Sequence, residues 1–189
     1  DERPNLLLVV VDALRADGLS LYGCPRPTSP HLDAWARQQA AVFRQVVAPA
    51  PWTYPSHVSM FSGLDAVRHG RNHDAGGAGS RVEGDGFEVM AEVLRREGYA
   101  TAAHTGGAYL HPAYGFSRGF DEYAYWADRA ADLEELPTGV DRALEFAAAH
   151  RERPFFFLLH TYEVHDPHSP RQPYFDRLAP EGVSAPPGE

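Results

Sequence analysis

The sequence predicts an α/β fold: a mainly parallel sheet flanked by helices. Short, continuous apolar runs, typical of fully buried strands, occur at Leu6–Val11, Tyr99–Ala103 and Phe155–Leu159. Amphipathic stretches with helical spacing separate these runs. Strands that alternate with helices along a chain are typical of a parallel sheet with helices packed on its faces.

Helix signals lie between the strand runs. Thr28 or Ser29 followed by Pro30 predicts one helix start, while Pro55 and Gly63 predict the first turn and the end of a second helix. The remaining predicted elements are a helix carrying Phe87, Met90, Ala91 and Leu94 and stopped by Gly98, a helix at Val140–His150, a candidate strand at Val42–Ala48, and a glycine-rich loop at Ala75–Gly86.

Composition limits the class of protein. The 189 residues, 43% of them hydrophobic, predict a single domain over residues 1–189, with a flexible tail or cut end at residues 180–189. The net charge of −9, without lysine or a basic block, argues against nucleic-acid binding. The run Leu6–Val11 is too short to span a membrane and lacks the flanks of a signal peptide. The lone Cys24 excludes an internal disulfide.

Polar residues follow the three predicted strands. Asp12, His104 and His160 come directly after them. In open parallel sheets, functional groups collect beyond the carboxyl ends of the strands. Each residue also has a plainer explanation, because an aspartate can cap a turn and a single histidine is more often structural. Their coincidence at three strand ends predicts a site along one edge of the sheet.

The segment from Pro51 to His57 leads into the second predicted helix. Thr53 would lie at or just before the N-terminus of that helix, where orphan N–H groups and the helix dipole favour an anion. Thr53 could therefore be a simple N-cap. It could also be a nucleophile if a base or a metal activates its hydroxyl, and Asp12 is the candidate to hold that metal.

The segment from His160 to Pro170 holds three histidines and two carboxylates within nine residues. This composition suits zinc, although the spacing matches no common structural zinc pattern. Its prolines predict a loop. A substrate-binding role, in which the histidines donate hydrogen bonds to anionic oxygens, and a polar surface loop are both open.

Six motifs, in order, resemble the N-terminal part of the sulfatase family in the alkaline phosphatase superfamily. In that family the first strand delivers an aspartate to the catalytic metal, as residues 3–17 would here. The matching segments are residues 3–17, Thr28–Asp33, Ala48–His57 running on to Gly70, Gly98–Thr101, Arg118–Asp121 and Asp166–Pro170. The resemblance covers nearly the whole chain and implies an alkaline phosphatase-like, sulfatase-like fold.

The resemblance also implies roles for individual residues. Asp12 would be a metal ligand, and Thr53 would be both the nucleophile and a metal ligand. His57 would position the nucleophile or the substrate. His168 would contact the anionic group of the substrate or its leaving oxygen. His160 and His104 are further substrate-binding candidates because of their places at strand ends.

The sequence departs from the sulfatase pattern at several points. Thr53 and His57 stand where a Cys-x-Pro-x-Arg pattern has its cysteine and arginine, and threonine is not converted to formylglycine. A direct threonine nucleophile resembles instead the phosphodiesterase, phosphonate hydrolase-like and phosphoglycerol transferase branches. Ala13 replaces a second aspartate, and Thr105–Ala108 stands where Gly-Lys-x-His is expected. No downstream Asp-His-Gly occurs, so we expect a fragment, or an enzyme inactive as given.

We therefore predict a metal-dependent hydrolase of sulfate or phosphate esters that acts through a covalent Thr53 intermediate. The resemblance implies a divalent ion (Mn, Ca, Mg or Zn), an anionic small-molecule, glycan or lipid-headgroup ester as substrate, and the missing C-terminal part of the same protein as a partner. A non-catalytic module that binds an anionic ligand, a phosphoglycerol-type transferase and a structural metal protein are the alternatives. The sequence fixes no compartment; the resemblance favours an extracytoplasmic one.

Overall fold

A computed structural model describes residues 3–71, 86–126, 135–166, 171–172 and 174–179. The chain divides into two compact units, one formed by residues 1–12 and 48–162, the other by residues 13–47 and 163–189. The single domain over residues 1–189 stays a prediction. The predicted tail at residues 180–189 and nearly all of the predicted glycine-rich loop lie outside the described residues.

The described part of the chain contains helices, 3₁₀ turns and strands. The strands are β1 (Leu6–Val11), β2 (Ala100–Thr105), β3 (Glu122–Tyr125) and β4 (Phe155–Thr161). The helices are α1 (Pro30–Gln39), α2 (Thr53–Ser62), α3 (Ala66–His69), α4 (Met90–Arg96), α5 (Glu135–Ala149) and α6 (Tyr174–Leu178), with 3₁₀ turns at Ala16–Gly18, Ser20–Tyr22, Ala108–Leu110 and Pro112–Tyr114. None of the helices described here is long and apolar enough to cross a membrane.

The four strands form one parallel sheet in the order β1-β4-β2-β3. This confirms the α/β fold class, and the strands predicted at Leu6–Val11, Tyr99–Ala103 and Phe155–Leu159 all exist within two residues of their predicted ends. No continuous apolar run predicts β3. Its four residues form a strand because they pair with the end of β2, from Ala102↔Glu122 to Thr105↔Tyr125.

One face of the sheet packs against α2 and α4. Side chains of β1 and β4 that point to this face, such as Leu8 and Leu158, join Tyr54, Val58 and Phe61 of α2 in one apolar core. Burial of these side chains removes apolar surface from water and fixes α2 on the sheet. The position of α2 is therefore set by ordinary core packing next to the site described below.

The opposite face packs against α5. Phe146 of α5 contacts Phe157 and Leu159 of β4, together with small alanines of β2. On this face Leu7 and Val9 of β1 are 59% and 51% exposed. The prediction that Leu6–Val11 is fully buried is therefore wrong, since the side chains on the other face of the strand are only half-buried. Continuous hydrophobicity predicts burial on both faces, but β1 is an edge strand of the described sheet.

Residues 13–47 contain the helix predicted after Ser29. Helix α1 begins at Pro30, and the Ser29 hydroxyl donates a hydrogen bond of 2.7 Å to Asp33, which ties the helix start to its first turn. The strand predicted at Val42–Ala48 is wrong, because the described chain is irregular there and Val47 is 90% exposed. Apolar residues alone do not make a strand when no neighbouring strand pairs with them.

The segment between β2 and β3 packs tightly against α4. The Arg118 guanidinium donates to both Glu92 carboxylate oxygens, at 3.0 and 2.7 Å, and to the Phe87 carbonyl at 2.9 Å. Next to it, Gly119 has φ +79, and a Cβ there would lie 2.2 Å from the Glu92 nitrogen. Only glycine fits this position, because both the backbone angle and the space exclude a side chain.

We expect Gly119→Ala to destabilise the protein by about 2 kcal/mol or more beyond the loss caused by Gly63→Ala. Gly63 is the matched control, since it has φ +70 but no heavy atom of the described residues lies within 4 Å of where its Cβ would be. Both variants incur the left-handed backbone cost of roughly 1–2 kcal/mol, and only Gly119→Ala also clashes. Urea unfolding measures both free energies. Equal losses would contradict the close packing of Gly119 on α4.

Candidate active site at the carboxyl ends of β1 and β4

The pairing of β1 with β4 brings Asp12 and His160 together. The register places Val10 opposite His160, and the Asp12 N–H donates to the Thr161 carbonyl at 3.0 Å, one step beyond the end of β1. Because side chains alternate along a strand, His160 and Asp12 point to the same face as the α2 core. The chain then turns at Ala13, whose φ of 61 is a strained angle for alanine.

Thr53 is the first residue of α2 and contacts Asp12. Its Oγ1 donates a hydrogen bond of 2.9 Å to Asp12 Oδ2. The N-cap residue is Trp52, whose side chain makes no capping hydrogen bond. The predicted position of Thr53 at the helix N-terminus is confirmed. Thr53 is not an N-cap, because its hydroxyl donates to Asp12 and not to the first turn of the helix. Thr53 therefore presents its hydroxyl at the N-terminal end of α2, where the helix dipole favours an anion.

His57 lies one helical turn after Thr53. Its Nδ1 is 2.8 Å from the Thr53 carbonyl. A carbonyl only accepts hydrogen bonds, so Nδ1 must carry the proton and Nε2 must carry a lone pair. The His57 ring is buried and stands edge-on to His160, with the ring centres 5.0 Å apart. Its Nε2 has no hydrogen-bond partner within the described protein.

Burial, together with the neighbouring His160, lowers the pKa of His57 to about 4, because the opposing effects of the Thr53 carbonyl and Asp12 are smaller. At neutral pH the ring is thus uncharged. Burial acts to raise the pKa of Asp12, but contacts with His160 and Thr53, and the nearby His57, outweigh it. The Asp12 pKa therefore lies below its usual value, and Asp12 is an anion at neutral pH.

Asp12, His57 and His160 fit a divalent metal ion. One ligand atom from each lies within 4.8 Å of the others. His160 Nε2 is 3.6 Å from Asp12 Oδ2, longer than a hydrogen bond, and neither ring nitrogen of His160 has a hydrogen-bond partner in the described protein. Unpaired lone pairs of buried imidazoles beside a carboxylate form the mixed nitrogen and oxygen donor set that zinc and similar ions bind.

The structure does not bring His104 to this cluster. His104 pairs with Leu159 rather than His160, so it points to the α5 face, where its Nε2 lies 3.4 Å from Glu135 Oε1. Of the three polar residues at strand ends, only Asp12 and His160 meet. His168 lies outside the described residues, so its predicted substrate contact stays a prediction. Glu135 had no sequence signal, because it precedes the helix predicted to begin at Val140.

The fold and the sequence both have relatives. The model of the sulfatase family matches residues 4–183. Arylsulfatase A of Bos taurus is 35% identical over 61% of this chain and 24% of its own length. Two solved structures match in fold: the phosphonate monoester hydrolase of Agrobacterium radiobacter (21% identity, TM-score 0.72, 97% of this chain and 45% of that one) and the periplasmic domain of EcEptC from Escherichia coli in complex with Zn (22% identity, TM-score 0.69, 98% and 52%).

These likenesses give the chain a fold and a family. Its parallel sheet with flanking helices is the fold of the alkaline phosphatase superfamily. The chain belongs to the sulfatase family, since the family model matches nearly all of it. The chain spans about a quarter or less of the length of the first curated relatives. It spans about half the length of each of the two solved structures.

The buried, neutral His57 makes the stability of the metal-free protein depend on pH. The unfolded chain takes up a proton near pH 6.5 and the folded chain only near pH 4. Stability therefore falls as the pH drops from 6.5 to 4, by about 3 kcal/mol. We expect His57→Gln to remove most of this slope, measured by urea unfolding across that range. His31→Gln, at an exposed histidine of α1, should keep it; an unchanged slope in His57→Gln would contradict the assignment.

Proposed function

We propose that this chain carries the catalytic cluster of a metal-dependent ester hydrolase of the sulfatase type, with Thr53 as the nucleophile. The observation that carries the proposal is the 2.9 Å hydrogen bond from Thr53 Oγ1 to Asp12, inside a cluster of metal-ligating side chains and at a helix N-terminus. A nucleophile, an activating carboxylate and an anion-binding helix end in one place are what transfer of a sulfuryl or phosphoryl group requires.

Asp12, His57 and His160 would hold the metal, with the Thr53 oxygen beside them. A divalent ion bound there supplies Lewis-acid chemistry: it lowers the pKa of a bound hydroxyl and neutralises charge on the transferring group. The EcEptC domain, which shares the fold, was solved with Zn. The two imidazoles favour zinc over Mg or Ca, which prefer oxygen ligands.

The protein side chains then have separate tasks. Asp12 accepts the hydrogen bond of the Thr53 hydroxyl and so fixes the direction of the oxygen lone pairs. His57 donates to the Thr53 carbonyl and fixes the first turn of α2. The positive end of the α2 dipole lies beside Thr53 and would attract the anionic oxygens of the substrate. Attack by Thr53 Oγ1 on sulfur or phosphorus would release the alcohol and leave a covalent ester, which water then hydrolyses.

The class of ester is the open part of the proposal. The sequence relatives are sulfatases by name, which supports sulfate esters. Threonine at position 53 favours direct attack instead of formylglycine chemistry, and this supports phosphate esters, as in the threonine-nucleophile branches that the sequence resembles. Because the chain spans about a quarter or less of the length of these curated relatives, the proposed activity is that of the whole protein. The alcohol part of the substrate, whether aryl, glycan or lipid headgroup, would be selected by residues other than those of this cluster.

We expect metal-dependent turnover of aryl sulfate, aryl phosphate or aryl phosphodiester substrates, lost by on the order of 10³-fold or more in Thr53→Ala because the nucleophile is gone. Thr53→Ser keeps a hydroxyl and should retain measurable turnover. The assay compares kcat/KM for the three esters with Mn, Ca, Mg or Zn in turn. Equal turnover in Thr53→Ala would remove Thr53 as nucleophile. Ligand binding without any turnover in the wild type would favour the non-catalytic anion-binding module.

We also expect zinc or manganese to bind the metal-free protein at a site that Asp12→Asn and His160→Gln each weaken by at least about tenfold, because each removes a ligand. Isothermal titration measures the dissociation constants. His31→Gln is the control, because it also removes a histidine, but an exposed one in α1. Unchanged affinity in both cluster variants would show that the metal binds elsewhere.

A further inference from the structure

A buried polar cluster lies on the α5 face of the sheet, opposite the candidate active site. It consists of His104 on β2, Thr161 on β4 and Glu135 at the start of α5, and each of these residues is at most 7% exposed. The Thr161 hydroxyl donates to Glu135 Oε2 at 2.7 Å. Phe146, Phe157 and Leu159 form an apolar core on the same face of the sheet. A carboxylate buried in such a core is costly, so its presence indicates a task beyond packing.

Helix α5 is held close to the sheet at this cluster. Gly139 lies one turn after Glu135, and a Cβ there would be 2.7 Å from His104 Cδ2 and 2.6 Å from Leu159 Cδ1. The absence of a side chain lets the helix backbone approach the strands. Glu135 therefore lies one helical turn before the point at which α5 comes closest to the strands.

Hydrogen bonds connect this cluster to the candidate nucleophile through the sheet. Glu135 accepts from the Thr161 hydroxyl, and the Thr161 carbonyl accepts from the Asp12 N–H at 3.0 Å. Asp12 in turn accepts from the Thr53 hydroxyl at 2.9 Å. Three bonds thus lead from a carboxylate on one face to Thr53 on the other. Thr161 is the residue that both faces share, because its side chain points to α5 while its carbonyl holds Asp12.

We propose that Glu135 is a positioning residue, which fixes the end of β4 through Thr161 and thereby holds Asp12 in place beside Thr53. This inference rests on the proposed function, since it concerns the residue that orients the nucleophile. Asp12 follows the last residue of an edge strand and precedes the strained Ala13. A strand end of this kind frays unless something anchors it. A displacement of about 1 Å at such a position can lower a rate on the order of 100-fold.

The test measures amide hydrogen exchange of the metal-free protein by NMR. We expect Thr161→Val to speed exchange of the Asp12 amide about tenfold more than that of the Leu8 and Phe157 amides in the middle of the same strands. Thr161→Ser keeps the hydroxyl and should restore protection of Asp12. Phe146→Leu is the control, because it weakens α5 packing without touching Glu135.

A double variant separates positioning from simple stability. Thr161→Val with Glu135→Leu removes both hydrogen-bonding partners, so no buried acceptor of that bond is left unpaired and the fold should recover much of its stability. We expect Asp12 exchange to stay fast in this variant even when the melting temperature recovers. Recovery of Asp12 protection with melting temperature would overturn the proposal, as would an Asp12 response in Thr161→Val no larger than in Phe146→Leu.

Kinetics then judge the two proposals separately. If the wild-type protein hydrolyses one of the test esters, Thr161→Val should lower kcat about tenfold or more with little change in KM. The reason is that the orientation of the nucleophile changes and substrate binding does not. An unchanged kcat would overturn the positioning role while the proposed function stands. A wild type without turnover would defeat the proposed function, and the exchange experiment would still decide whether Glu135 anchors Asp12.

Discussion

The parallel pairing of β1 with β4 is the constraint on which the rest of the site depends. Its register sets His160 opposite Val10, and its final hydrogen bond, from the Asp12 N–H to the Thr161 carbonyl, fixes the residue that follows β1. The period of two along each strand then sends Asp12 and His160 to one face. A shift of one residue in this register would turn His160 to the α5 face and separate it from Asp12.

Helix α2 completes the site because its packing against the sheet fixes the position of its N-terminal residues. Tyr54 and Val58 are almost fully buried in the core on the sheet face they share with Asp12. Each of them directly follows a site residue in the chain, so both site residues have fixed positions. Thr53 contacts Asp12, and the His57 ring lies against that of His160. Burial that stabilises the helix also removes the imidazoles from water, which keeps His57 neutral and ready to act as a ligand.

The sequence predicted the parts of this arrangement that local patterns encode. Continuous apolar runs marked β1, β2 and β4, and proline and glycine signals marked the limits of α2. The strand at Val42–Ala48 failed because hydrophobicity says nothing about a pairing partner, and β3 was missed because only its pairing with β2 makes it a strand. Asp12 was found because it directly follows a predicted strand, and Thr53 because it begins a predicted helix. The motifs around both residues also resemble one family.

The sequence by itself determined the fold class, the family and the identity of Asp12, Thr53 and His57 as candidates, since short-range periodicity, helix limits and ordered motifs are written in adjacent residues. Only the tertiary structure decided which residues meet. His104 and His160 look alike at the ends of their strands, but register and alternation send them to opposite faces, one to Glu135 and the other to Asp12. Those contacts join residues far apart in the chain, and no local pattern carries that information.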